Sequence, residues 1–226
     1  MEKFHGKYRI SSARLRNWDY ASQGMYFVTL CTKNREHYFG QIIKSEIDKG
    51  HFEMQLSEIG RIVESEWVRT PEVRLDMNLE LGEYQVMPNH FHAILIIGEN
   101  QFNTKELIRE TDKNPDDTHR DAILAAPNDS ESKSNPDSDP VFELEMQMIL
   151  ATNTKVKNKF APQSKNLGSV MRGFKSSVTS FMNDQNIYFQ WQTRYYDHII
   201  RDYDEYQRIA NYIRKNPDNW GNDRLG

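Results

Sequence analysis

Two histidines in one stretch of the chain, and a tyrosine and an asparagine in another, are the residues best suited to chemistry. The first stretch is Met87-Pro88-Asn89-His90-Phe91-His92-Ala93. Alternate side chains of an extended strand share a face, so His90 and His92 project together while Phe91 points into the core. Two imidazoles so placed can bind one divalent cation. The spacing also suits a structural pair, and metal chemistry would need a third ligand and a reacting group. Tyr212 and Asn216 supply both. They lie four residues apart, on one face of an expected helix and off the Tyr206, Ile209 and Ile213 stripe that should meet the core. A tyrosine can serve as a nucleophile, and an amide oxygen is a hard ligand suited to Mg²⁺ or Mn²⁺. Asn216 precedes Pro217, at a helix end where its amide can be aimed elsewhere. A structural tyrosine and a helix-ending Asn-Pro are the plainer readings of the same residues.

The elements that must position these groups are legible from pattern. Gly24 to Lys33 alternates β-formers between turn signals, and His37 to Ile43 and His51 to Ser57 read as a hairpin through Lys49-Gly50. After Ser57, a capping residue, Ile59, Ile62, Val63 and Trp67 recur at helical spacing. Leu79 to Val86 and His90 to Ile97 should pair across a tight turn. Leu167, Val170, Met171, Phe174, Val178, Phe181 and Met182 form a second helical stripe. Tyr195 to Arg201 reads as a strand, and Asp202 with Glu205 opens the last helix in a capping-box arrangement closed by Pro217. Residues 98–166 break the pattern with Asn/Asp/Ser/Pro clusters and are expected to be a largely mobile insertion, with a short element at 141–150. Without the insertion and the first hairpin, the order is βαββαβ plus a terminal helix. The expected fold class is α+β: a ferredoxin-like antiparallel sheet with helices on one face and a C-terminal helix carrying Tyr212.

Composition narrows the function classes. A chain of 226 residues, 37% hydrophobic, can bury one sizeable core, and a single domain over 1–226 is expected. No apolar run approaches the roughly 18 residues of a membrane span, and the first residues lack the apolar core of a signal peptide, so a cytoplasmic protein without a membrane partner is expected. The lone Cys31 excludes an intramolecular disulfide and a cysteine-rich zinc site, and reads as a small core residue. The net charge of −4 resides in residues 99–165, which hold 13 acidic against 9 basic side chains. By contrast, residues 1–20 form a basic arm with Arg14 and Arg16, suited either to tracking phosphates or to solvation.

With these residues in place, the sequence resembles the single-tyrosine transposases of the HUH superfamily, in particular the REP-associated tyrosine transposases and their insertion-sequence-200-like relatives. The resemblance rests on five blocks in the family's order: Tyr26-Phe27-Val28-Thr29-Leu30-Cys31-Thr32 followed by Asn34-Arg35; Val86-Met87-Pro88-Asn89-His90-Phe91-His92; Arg172-Gly173-Phe174-Lys175-Ser176; Asp197-His198-Ile199-Ile200-Arg201; and Tyr212-Ile213-Arg214-Lys215-Asn216-Pro217. It implies a ferredoxin-like fold, Tyr212 as nucleophile, and a divalent metal, Mg²⁺ or Mn²⁺, on His90, His92 and Asn216. It further implies single-stranded DNA, often in a hairpin, as substrate, cleaved through a 5′-phosphotyrosine. Arg14, Arg16, Arg172 and Lys175 are then candidates for phosphate contacts, and Trp18 or Tyr20 for base stacking. His198 reads as structural. The long acidic segment and the absence of a basic net charge depart from the family pattern.

Two other function classes stay open at this level. One is a non-catalytic or domesticated DNA-binding module; the other is a metallo-phosphoesterase that uses the histidine pair with activated water, for which Glu83 is the nearest carboxylate in sequence. Monomer and homodimer are both compatible with the pattern.

Overall fold

The run of β-formers at Gly24–Cys31 is strand β1, while Gly40–Lys44 (β2) and Phe52–Leu56 (β3) pair as a separate antiparallel hairpin. This computed structural model describes residues 18–104 and 164–222, with the backbone of a two-residue strand pair, Lys3–Phe4 and Lys7–Tyr8. Arg14, Arg16 and the element expected at 141–150 lie outside the described residues. β2 starts at Gly40 rather than His37 because Phe39 is committed elsewhere. Its ring is fully buried, its N–H donates to the Pro88 carbonyl (3.0 Å), and its carbonyl accepts from Ser57 N–H (2.8 Å).

Helix α1 (Glu58–Val68) begins where expected, with the Ser57 hydroxyl accepting from Gly60 N–H at 3.0 Å. Gly60 permits close passage of the helix, since a Cβ there would lie 2.1 Å from the Phe39 carbonyl oxygen. Strands β4 (Leu79–Met87) and β5 (His90–Ile97) follow, joined through Pro88-Asn89. Helix α2 (Leu167–Asp184), strand β6 (Tyr196–Ile200) and helix α3 (Tyr203–Arg214) complete the regular elements, followed by a 3₁₀ segment, Pro217–Asn222. Asp202 caps α3 by accepting from Glu205 N–H (2.7 Å). The reciprocal bond of the expected capping box is displaced by one residue: Glu205 accepts from Arg201 N–H (2.9 Å) and meets the His198 ring (2.8 Å). His198 thus fastens β6 to the start of α3.

The sheet order is β4-β5-β1-β6 with every pairing antiparallel, which is the ferredoxin-like arrangement of the βαββαβ order. Alternation along β5 divides the core. Phe91, Ala93, Leu95 and Ile97 face α1 and α2, where Phe91 meets Trp67 and Phe174 with ring centroids 5.1 and 5.6 Å away. Ile94 and Ile96 face the other way, against Tyr206, Ala210 and Ile213 of α3. α1 and α2 therefore share one face, and α3 covers the opposite one. This double covering buries every residue of β5.

Both flanks of the expected insertion are built into the fold. Asn100 Nδ2 donates to the Met77 carbonyl (2.9 Å), Asn103 Nδ2 donates to the Ala21 carbonyl (3.2 Å), and Asn166 caps α2 in a full capping box with Ser169. Amide-rich sequence here marks side-chain hydrogen bonding to backbone rather than loose chain. Cys31 is buried, as expected of a core thiol. Among the described residues no helix is long and apolar enough to cross a membrane.

Candidate active site

His90 and His92 extend the row of Ile94 and Ile96 on the α3 face of β5. Both imidazoles are buried, with ring centroids 4.5 Å apart at 69°. The Asn89 Oδ1 atom lies 2.7 Å from His90 Nδ1. A carbonyl oxygen only accepts, so the proton sits on Nδ1 and the lone pair on Nε2. Register pairs β1 with β5 so that Thr29 stands opposite His92, and Thr29 Oγ1 is 2.8 Å from His92 Nδ1. The Tyr212 hydroxyl reaches the other nitrogen, His92 Nε2, at 3.3 Å. Phe27, also on β1, stacks on the His92 ring (5.4 Å, 28°) and meets the Tyr212 ring edge-on (6.3 Å, 87°). Tyr212 itself is 43% exposed, while its hydroxyl meets the buried His92.

Asn216 is 1% exposed, and neither atom of its amide makes a hydrogen bond of ordinary geometry among the described residues. The amide faces the His90 ring. Burial pushes the His90 pKa down to about 3, with the positive charge of Arg35 adding to the shift and Asn216 opposing it. His90 is therefore neutral near pH 7, the form that ligates metals. Tyr212, near the end of α3, and Asn216, just beyond it, both turn toward the histidine pair. The chain leaves the α-helix at Lys215 and tightens into the 3₁₀ segment, where Asn219 N–H is shared between the Lys215 and Asn216 carbonyls. Tyr212 thus reaches His92 while Asn216 turns inward to His90.

The 3₁₀ segment is anchored by Asp218, which accepts from Phe52 N–H (2.6 Å) and lies 2.8 Å from His51 Nδ1, both on the β2–β3 hairpin side. It carries Trp220 onto the His90 ring (5.8 Å, 23°). Asn89, Thr29, Phe27 and Trp220 are members of this site that composition does not announce. Only Asn89, adjacent to a histidine in a Pro-Asn turn, carries a local signal.

Other sequence-derived candidates lie elsewhere. Arg172 and Lys175 are on α2, the helix packed on the opposite sheet face, and the Lys175 ammonium donates to the Gln192 carbonyl (2.6 Å) beside the Trp191 ring. Tyr20 is a core residue, 6% exposed and packed on Tyr26, so it is not available for base stacking; Trp18 donates its indole N–H to the Tyr26 hydroxyl (3.1 Å). Glu83 does not join the histidines. Burial raises its pKa, partly offset by Arg214, whose Nε is 3.7 Å away.

Among the described residues no three His, Cys, Asp or Glu side chains converge as a metal cluster. The donor set around the pair is mixed instead: two imidazoles and the Asn216 amide. A buried amide without an ordinary hydrogen bond is costly unless something else satisfies it, and an amide oxygen beside two imidazoles fits a divalent cation.

No family model matches the chain. An uncharacterised protein of Haemophilus influenzae is 32% identical over 225 residues, spanning 97% of this chain and 94% of that one. The chain belongs to the family of that protein. The likeness within this family extends over nearly the whole of both chains. A solved structure of a REP-associated tyrosine transposase bound to a REP hairpin is similar at a TM-score of 0.46 and 15% identity, over 94% of this chain and 75% of that one.

Proposed function

We propose that this protein is a transposase-type enzyme that cleaves and rejoins single-stranded DNA, with Tyr212 as nucleophile and His90, His92 and Asn216 as ligands of Mg²⁺ or Mn²⁺. The observation that carries this reading is the convergence of Tyr212 on His92 and of Asn216 on His90. Two separate stretches of chain thereby contribute the whole of one chemically coherent set. The bound cation would polarise a phosphodiester as a Lewis acid.

The chain's own residues then act in a defined order. The Phe27 and His92 rings hold the phenol, and Asn89 and Thr29 orient the two imidazoles. Tyr212 Oη attacks phosphorus. The Oη–P bond forms as the P–O3′ bond breaks, the phenolic proton passes to solvent at the exposed side of the ring, and the departing 3′ oxygen takes up a proton. The products are a 5′-phosphotyrosine and a free 3′-hydroxyl, and attack by another 3′-hydroxyl on the phosphotyrosine rejoins strands without external energy. The phosphoesterase reading is disfavoured because Glu83 pairs with Arg214 rather than with the imidazoles.

The test incubates the protein and Tyr212→Phe with labelled single-stranded hairpin oligonucleotides and Mn²⁺ or Mg²⁺, followed by denaturing gels. A metal-dependent covalent adduct lost in Tyr212→Phe is the expected result. Binding without adduct across a broad oligonucleotide set would favour a non-catalytic module. Cleavage that survives Tyr212→Phe would indicate attack by water.

A further inference from the structure

The Asn34-Arg35 pair is the part of the first sequence block to which the mechanism above gives no role. It sits in a single 3₁₀ turn, Lys33–Arg35, directly after β1. Both residues adopt left-handed backbone, with φ of 55° at Asn34 and 60° at Arg35. Asparagine tolerates this region, whereas an arginine adopts it only at a cost that the surroundings must impose. The turn is pinned to the histidine strand: Thr32 N–H donates to the Asn89 carbonyl (2.9 Å), the single Thr32 hydroxyl proton lies between the Glu36 and Asn89 carbonyls (2.8 and 3.0 Å), and Arg35 N–H donates back to the Thr32 carbonyl (3.3 Å). Asn89 is the residue whose side chain fixes His90, so one backbone carbonyl couples the Arg35 turn to the metal-ligand end of β5.

Cys31, the last residue of β1, stands opposite His90, so the turn that follows it lies at the His90 end of β5. Arg35 Nη1 is buried and makes no hydrogen bond among the described residues. No carboxylate among them forms an ion pair with Arg35. A buried cationic donor without an acceptor is unfavourable, and the cost is recovered when an anion arrives. We infer that Arg35 is the phosphate-contacting residue of this site, donating from its guanidinium to a non-bridging oxygen of a DNA phosphodiester drawn up beside His90. This rests on the proposed single-stranded DNA substrate. A planar fork of donors suits phosphate oxygens.

Fluorescence anisotropy tests it, with a labelled mixed-sequence single strand of about 30 nucleotides, in EDTA, over about 50 to 400 mM KCl. The parent is Tyr212→Phe, so that binding is measured apart from cleavage, and Arg35→Gln and Arg35→Lys are added to it. Loss of one phosphate contact should make the plot of log affinity against log salt shallower by about 0.7 and weaken binding about eightfold at 50 mM, the loss fading as salt rises. Arg35→Lys should keep most of the slope. An unchanged slope in Arg35→Gln, whether affinity is retained or uniformly reduced, would overturn the inference while leaving the Tyr212 reading intact. No binding by the parent at any salt would overturn the DNA reading and this inference together. Arg35→Met keeps the aliphatic stem and replaces the Gln variant if that variant fails to fold.

Discussion

Tyr212 Oη lies 3.3 Å from His92 Nε2, although the two residues are 120 positions apart in sequence. The contact joins the exposed face of the last helix to the buried end of a central strand. Its geometry depends on Thr29 and Phe27, which fix the imidazole from the far nitrogen and from the ring face.

Thr29→Val keeps the shape of a buried strand residue and removes the hydroxyl beside His92 Nδ1. Groups that orient a metal-bound imidazole typically contribute about 10- to 100-fold to metal affinity. Isothermal titration with Mn²⁺ should show a loss of that order, with the unfolding free energy lowered by no more than a buried hydrogen bond accounts for, about 1 kcal/mol.

Asn216→Ala separates ligation from packing by sign. The buried amide makes no ordinary hydrogen bond among the described residues, so its removal relieves a desolvation cost of about 1 kcal/mol in the metal-free protein. Urea unfolding in EDTA should therefore find the variant as stable as the wild type or more so. Addition of Mn²⁺ should reverse the order, because the wild type gains ligand-linked stability that the variant lacks. A variant markedly less stable in EDTA would count against the amide as a ligand.

Phe91 occupies the position between the two histidines but serves the opposite face, packed among Trp67, Tyr84 and Phe174. Phe91→Ala should cost about 3 to 5 kcal/mol in denaturant unfolding, the range for a large buried aromatic. Such a loss would show that the His-x-His motif is held in place by a core residue that takes no part in chemistry.

The Asp218 anchor of the 3₁₀ segment should be pH-dependent. The Phe52 N–H and His51 hold the Asp218 carboxyl below its ordinary value of 3.8, so its contribution is present above that pH and lost as pH falls through the lowered value. Asp218 raises His51 above its ordinary 6.5, so that contribution is present below 6.5 and lost as pH rises through the raised value. Both are complete only between 3.8 and 6.5. Native-state hydrogen exchange at the Phe52 amide, corrected for intrinsic rate, should show greater protection at about pH 5.5 than at about pH 8. In Asp218→Asn this difference should vanish.

Much of the fold was legible because short-range rules govern it. Ser57 and Asp202 start their helices as side-chain caps, and the apolar spacings over 59–67 and 167–182 give α1 and α2 their buried faces. The displaced start of β2 was hidden, since it follows from Phe39 being drawn into the core against Pro88 and Ser57. The flanks of residues 98–166 were likewise hidden, because Asn100 and Asn103, besides their local bonds, donate to backbone carbonyls of Met77 and Ala21 far away in sequence.

The sequence by itself determined that His90 and His92 share a face, because alternation is a property of any strand, and that Tyr212 lies off the buried stripe of α3. Only the tertiary structure decided that Thr29 stands opposite His92, since that depends on register between β1 and β5. It also decided which imidazole each group meets, Tyr212 at His92 and Asn216 at His90, and that the Arg35 turn is tied to the histidine strand through the Asn89 carbonyl. Local spacing sets which way a side chain points; register, helix termination and the acceptors that buried donors find set what it meets.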